Sequence, residues 1–146
     1  MSNICIKNMD INRIIQDDSG KVDELINDTM EKFICIQSLD DETGQLTPSL
    51  FLLKTSESTQ WNRFFLDAGI CFWDIFSQLP EDDLENQEDY PWYDLSEKHN
   101  LKGEKILAIN ICPFKQGVKL EIILSNENVF EISTSTVEDD TYMQIK

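Results

Sequence analysis

The chain has 146 residues, with 28 Asp and Glu against 12 Lys and Arg, so its net charge is −16 when the single histidine is neutral. This charge argues against direct binding to nucleic acid or to an anionic membrane, because both present negative phosphates. Hydrophobic residues make up 40% of the chain, which is enough for a packed core and argues against wholesale disorder. The length predicts one domain over residues 1–146.

The N-terminal half predicts short strands around one helix. Residues 3–7 and 33–39 have the composition of strands. Between them, apolar residues fall at helical spacing, and Asp23 and Glu24 suit the positive N-terminus of a helix. The positions at that spacing are Val22, Leu25, Ile26, Thr29, Met30 and Phe33. We therefore expect an amphipathic helix in this region.

A loop and a third strand follow. Residues 40–44 (Asp-Asp-Glu-Thr-Gly) and Pro48 indicate a loop, and residues 50–54 form an apolar run short enough for a strand. Residues 61–76 contain 11 hydrophobic residues in 16 and fit two structures. Their apolar positions match one face of a helix, whereas 67–69 (Asp-Ala-Gly) is a plausible hairpin turn between aromatic and branched runs. The hairpin is preferred, because such runs favour strands.

The C-terminal third has the clearest pattern. Apolar residues alternate with mostly polar ones from Val118 to Leu124, as in a strand with one buried face. Residues 105–112 and 129–134 read as its partners, with turns at Gly117 and at 125–128. The sequence thus predicts an α+β fold that is mainly antiparallel sheet, with a C-terminal meander over 105–134 and one or two short helices.

Compartment and cysteine chemistry follow from what the sequence lacks. Residues 1–10 show no basic flank followed by an apolar stretch, and no segment approaches the roughly 20 apolar residues of a membrane span. We therefore expect a cytoplasmic protein. The four cysteines are 30 or more residues apart, which favours free and mostly buried thiols over disulfides or a metal site. They are Cys5, Cys35, Cys71 and Cys112.

The negative charge is concentrated in one segment. Residues 64–97 contain 10 acids and no base, whereas 1–63 contain 11 acids and 6 bases, and 98–146 contain 7 acids and 6 bases. Within the segment, three amphipathic aromatics stand among carboxylates, the combination that protein interfaces use as anchors and steering charges. The predicted partner-binding residues are Asp82, Asp83, Glu85, Glu88, Asp89, Tyr90, Trp92, Tyr93 and Asp94. The alternative is that Trp92 fills the core and the acids form a solvated face.

Catalytic and cofactor signals are weak. Asp94, Ser96 and His99 lie close together, but no nucleophile-elbow pattern surrounds the serine. The acidic stretches lack the central glycine and alternating oxygen ligands of an EF-hand loop. The five glycines stand far apart, so no phosphate-cradling loop is indicated. We expect no catalytic residue, no metal and no cofactor.

Two segments give the chain a resemblance to a known class of proteins. They are the aromatic run from Trp61 to Trp73 and the acidic aromatic loop that follows it, before Leu101 and Gly103 lead into the meander. In these features the chain resembles the small acidic immunity proteins with which bacteria neutralise toxins used against competitors. The resemblance implies inhibition by occlusion, in which an acidic surface covers the basic site of a toxin or nuclease. It transfers no catalytic residue.

The sequence therefore favours a non-enzymatic acidic module that binds a basic protein. The alternative is a small enzyme or ligand-binding protein that uses carboxylates in a pocket near Trp61, Trp73 or Trp92. A deep pocket with two carboxylates would favour the alternative. A convex acidic face with exposed aromatics would favour the protein-binding module. The sequence does not indicate an oligomeric state.

Overall fold

Two antiparallel β-sheets form the molecule in a computed structural model that describes residues 12–17, 19–67, 69–135 and 141–146. Eleven strands lie within these residues: β1 Asn12–Asp17, β2 Gly20–Lys21, β3 Met30–Leu39, β4 Leu46–Thr55, β5 Trp61–Asp67, β6 Ile70–Phe76, β7 Trp92–Asp94, β8 Ile106–Phe114, β9 Gly117–Leu124, β10 Val129–Ser135 and β11 Thr141–Ile145. The helical elements described are 3₁₀ turns at Asp23–Leu25 and Glu81–Leu84 and a single helical turn, α1, at Leu95–Lys98.

The first sheet has six strands in the order β1-β6-β5-β4-β3-β7, and the second has five in the order β11-β10-β9-β8-β2. Their inner faces share one core. Phe130 of β10 lies 4.8 Å from Phe33 of β3 and 5.3 Å from Phe51 of β4, measured between ring centroids. Edge-to-face contacts of this kind add to the stability gained from the buried area. The sheets are thus packed face to face.

The predicted α+β class is wrong, because this is a β-rich fold with almost no helix. The predicted helix between Val22 and Phe33 is replaced by one 3₁₀ turn and the first residues of β3. Asn27 has a φ of +71°, a conformation that interrupts a right-handed helix. The four consecutive residues 33–36 are all buried, because β3 has an apolar cluster on each face of its sheet. A strand buried on both faces loses the period of two that would identify it.

The antiparallel parts of the prediction are confirmed. β8, β9 and β10 form the meander, and β5 and β6 form the hairpin, with Asp67 opposite Ile70 and Gly69 at a φ of +77°. The helical alternative for residues 61–76 is wrong. Residues 40–44 lie in the predicted loop, but Pro48 belongs to β4 opposite Gln37, next to an irregularity in the strand register.

The structure tests the cysteine prediction in part, and it does not describe the predicted N-terminal strand. The strand predicted at 3–7 lies outside the described residues, as does Cys5. Cys35 and Cys71 are free and fully buried, as predicted, whereas Cys112 is only half-buried. Within the described ranges, no helix has the length and apolar character needed to cross a membrane.

Candidate partner-binding surface

The part of the acidic segment that follows β6, residues 77–91, lies across the outer face of the first sheet. That face carries a second apolar cluster, formed by buried Ile34, Ile36 and Leu52. Leu79, Leu84 and Trp92 pack against this cluster from the segment that follows β6. The segment therefore has its own apolar support, which holds its carboxylates in a defined position on the molecule.

Arg63 ties the same segment to the sheet by charge. Its Nη1 lies 3.2 Å from Oδ2 of Asp83, and its Nη2 lies 3.1 Å from Oδ2 of Asp74. The guanidinium also lies over the ring of Phe76, 4.8 Å from its centroid. The Asp74 side chain is only 3% exposed, so its carboxylate depends on such partners. Asp83, predicted to contact a partner, thus has an internal structural role.

The predicted aromatic anchors do not form one exposed group. Trp92 and Tyr93 are neighbours in β7, so their side chains lie on opposite faces of the sheet. Trp92 is half-buried in the outer cluster, and its Nε1 donates a hydrogen bond of 3.2 Å to the carbonyl oxygen of Leu84. Tyr93 packs against the inner core, and burial together with its contact with Cys35 raises the pKa of Tyr93. Both side chains therefore serve the fold.

Asp94 also has a structural role. Its carboxylate accepts hydrogen bonds from the backbone N–H and the hydroxyl of Ser96 at the start of α1, and it pairs with Lys32 at 3.3 Å. Partial burial raises the pKa of Asp94, but these hydrogen bonds and the Lys32 charge outweigh burial, so the net pKa is below its ordinary value. His99 is exposed, and the Asp94 carboxylate contacts the Ser96 hydroxyl directly. A catalytic triad instead places histidine between the two.

The other five predicted residues remain at the surface. Tyr90 is 47% exposed, and the carboxylates of Asp82, Glu85, Glu88 and Asp89 are exposed as well. The backbone here is ordered by local hydrogen bonds: Asp89 N–H donates to Oδ1 of Asn86 at 3.2 Å, and Tyr90 N–H donates to the Asn86 carbonyl at 2.8 Å. Tyr90 is therefore the exposed aromatic among the nine predicted residues.

A second acidic segment, missed by the sequence prediction, joins the first. The backbone N–H of Leu39, at the end of β3, donates to the carbonyl of Asp89 at 3.1 Å, and Gln37 N–H donates to the carbonyl of Pro91 at 3.0 Å. The turn that follows Leu39 is thereby held beside the 81–90 segment. We call the combined exposed carboxylates the acidic surface: Asp40, Asp41, Glu42, Glu81, Asp82, Glu85, Glu88 and Asp89. Residues 33–53 and 64–97 contain no Lys or Arg.

Bases lie at the opposite end of β3. Near its start, Lys54 pairs with Glu31 at 2.7 Å and Lys32 pairs with Asp94 at 3.3 Å. A ten-residue strand extends about 30 Å, so these neutralised pairs lie far from the acidic turn at its other end. That distance is about three Debye lengths at 0.1 M salt, so these lysines screen Asp40, Asp41 and Glu42 little. The 81–90 segment, by contrast, has Arg63 beside it, paired with Asp83.

A pocket also opens on the outer face of the first sheet, beside the covered cluster. Its volume is about 340 Å³, near the lower limit for small-ligand sites. It is lined by Leu50, Arg63, Phe65, Asp67, Phe72 and Asp74. The tryptophans of the alternative prediction are not among these residues. Two carboxylates are present, but that of Asp74 is bound by Arg63.

Comparisons with known proteins return no match: no family model, no curated protein and no solved structure is similar to this chain.

Proposed function

We propose that this chain is a non-enzymatic protein-binding module whose acidic surface binds a basic protein. The observation that carries the proposal is the junction of two base-free acidic segments by the Leu39–Asp89 hydrogen bond. An acidic surface on a rigid support attracts a basic protein from a distance and orients it before contact. Tyr90 supplies an exposed aromatic that such a partner can bury.

The finer form of the proposal is an immunity-type inhibitor that acts in the cytoplasm. A small acidic protein can inhibit a toxin or nuclease by covering the basic surface with which that enzyme binds its own substrate. Inhibition of this kind needs no catalytic residue. It requires that the carboxylates stay in place when the partner arrives, which is what the Arg63 ion pairs and the Trp92 packing provide.

The experiment compares two variants of equal charge. The surface variant carries Asp41→Asn, Glu42→Gln, Glu88→Gln and Asp89→Asn. The control variant removes four exposed acids outside the acidic surface: Asp23→Asn, Glu24→Gln, Glu97→Gln and Glu127→Gln. The partner tested is the purified product of the reading frame adjacent to this gene. We expect the surface variant to bind it about tenfold more slowly and with a weaker salt dependence, and the control variant to bind it nearly as the unmodified protein does.

Two outcomes would contradict the proposal. If both variants slow association equally, only the net charge matters and the acidic surface has no special role. If the neighbouring product neither binds this chain nor loses toxicity when the two are co-expressed, the immunity-type function is wrong. The small-ligand alternative has weaker support, because the Arg63 guanidinium already engages one of the two carboxylates in the pocket.

A further inference from the structure

Among the residues that the structure describes, no strand pairs with the outer edge of β11, the last strand of the second sheet. β11 pairs with β10 on one side, and in this register Val129 and Lys146 exchange two backbone hydrogen bonds. Because hydrogen-bonding direction alternates along an antiparallel strand, Gln144 and Tyr142 also bond towards β10. The backbone groups of Thr141, Met143 and Ile145 therefore point away from the sheet. Within the described ranges, these three N–H and three C=O groups have no partner strand.

This edge lacks the usual protection against pairing. Natural sheets protect their edges with charges, prolines or very short strands. Among the strands that the structure describes, β2 has two residues and β7 has three, and β1 carries Arg13 and Asp17 in its sequence. β11 has five residues with neither charge nor proline, and the charged Lys146 follows it directly. Its Tyr142 is 70% exposed, the highest value among the exposed large hydrophobic residues.

We propose that β11 pairs with β11 of a second copy of this chain, antiparallel and centred on Met143. The outward backbone groups are symmetric about this residue, so two copies related by a two-fold axis satisfy each other with six hydrogen bonds. Thr141 of one copy then lies opposite Ile145 of the other. The two five-stranded sheets become one sheet of ten strands.

Side chains support the same register. Tyr142 of each copy lies opposite Gln144 of the second copy, at a pair whose backbones do not bond and whose side chains are therefore closest. Both residues are exposed in the single chain. The pairing therefore covers the Tyr142 ring of each copy. On the inner side, Met143 and Ile145 already pack against the core and continue it towards the partner.

The association is expected to be weak and to strengthen with salt. An edge of five residues buries less area than the roughly 1,200 Å² of a stable interface, so a transient dimer is expected. Each copy carries a net charge of −16, and salt screens the repulsion between them. Binding of a basic protein at the acidic surface weakens with salt, so the two associations are distinguishable in one titration.

The test uses sedimentation equilibrium of the full chain, from about 10 μM to 1 mM, in low and physiological salt. We expect the average mass to rise with concentration towards that of two chains, and to rise further with salt. Two double variants share Gln144→Lys and differ at one position. With Tyr142→Lys, two like-charged pairs face each other across the dimer. The dissociation constant of the dimer should therefore increase about tenfold or more. With Tyr142→Glu, the facing pairs attract and the dimer should persist.

These variants distinguish an effect of the pairing register from an effect of the net charge of the chain. Tyr142→Lys with Gln144→Lys lowers the negative charge of each chain, so a purely global effect would strengthen its dimer. Tyr142→Glu with Gln144→Lys leaves the net charge unchanged. A single mass of one chain under all conditions, or equal dimerisation of both variants, would overturn the proposal. Because Tyr142 is exposed, we expect both double variants to fold as monomers. Thermal melting of each variant checks this.

Discussion

Arg63 and Asp83 are joined by an ion pair of 3.2 Å, and this contact fixes the acidic segment to the centre of the first sheet. The same guanidinium neutralises Asp74, whose side chain is almost fully buried. Removing Arg63 therefore does two things at once. It removes the ion pair that links the segment to the sheet, and it deprives a buried carboxylate of a cation.

The first prediction concerns Arg63. Arg63→Met should lower the free energy of unfolding by about 3 kcal/mol, because breaking a buried ion pair leaves an uncompensated charge. Asp83→Asn, the matched control, should cost about 1 kcal/mol or less, since that pair is partly exposed. Adding Asp74→Asn to Arg63→Met should recover part of the loss. Urea unfolding at pH 7 measures all three, and equal losses for Arg63→Met and Asp83→Asn would contradict the role of Asp74.

The second prediction concerns Trp92, which the sequence offered as either an anchor or a core residue. Its packing on the outer cluster predicts that Trp92→Ala lowers the free energy of unfolding by about 3 kcal/mol. Trp92→Phe keeps most of the packing and removes the hydrogen bond to Leu84, so it should cost about 1 kcal/mol. Chemical unfolding with limited proteolysis checks this. If Trp92→Ala unfolds like the unmodified protein, the side chain is free to act as an anchor.

The sequence predicted contacts between residues that are close in the chain, but not contacts between residues that are far apart in it. The meander and the β5–β6 hairpin were predictable, because alternating residues and a turn at Gly69 are local signals. β3 was missed in part because its two buried faces produce a pattern that also fits a helix. The acids of the acidic surface between residues 82 and 89 were predicted from the sequence, whereas those of residues 40–42 were not. Leu39 and Asp89 are 50 residues apart in the chain, and no local pattern indicates that their backbones meet.

The third prediction concerns the pH dependence of stability at Asp94. Its pKa in the folded protein is below the ordinary value of about 3.9, so the unfolded chain binds the proton more tightly. The stabilisation is then fully present above about pH 5 and is lost as the pH falls through the folded-state pKa. The stability gap between the unmodified protein and Asp94→Asn should narrow between pH 5 and pH 2.5 in urea unfolding. A gap that stays constant would show that Lys32 and Ser96 do not favour the charged form.

The fourth prediction concerns thiol reactivity. Cys35 and Cys71 are fully buried, and burial raises the pKa of both thiols to about 12. Cys112 is half-buried on β8. In a Cys5→Ser background at pH 8, Ellman's reagent should label one thiol quickly and the other two only after denaturation. Cys112→Ser should remove the fast phase. Rapid labelling of all three would contradict the burial of Cys35 and Cys71.

The fifth prediction concerns salt and follows from the acidic surface. Eight exposed carboxylates lie on two adjacent base-free segments, so their repulsion opposes folding. The Debye length falls from about 30 Å at 0.01 M salt to about 8 Å at 0.15 M, which screens this repulsion. The melting temperature at pH 7 should rise by a few degrees over that range, since about 1 kcal/mol corresponds to about 3 °C at this chain length.

The surface and control variants used for partner binding locate that effect. Both variants remove four charges, but only the surface variant neutralises carboxylates that the Leu39–Asp89 contact brings together. At 0.01 M salt it should melt above the control variant, and its melting temperature should respond less to added salt. Differential scanning calorimetry measures both quantities on the same samples. If the two variants melt alike at every salt concentration, the repulsion is spread over the whole molecule, and the acidic surface is not its source.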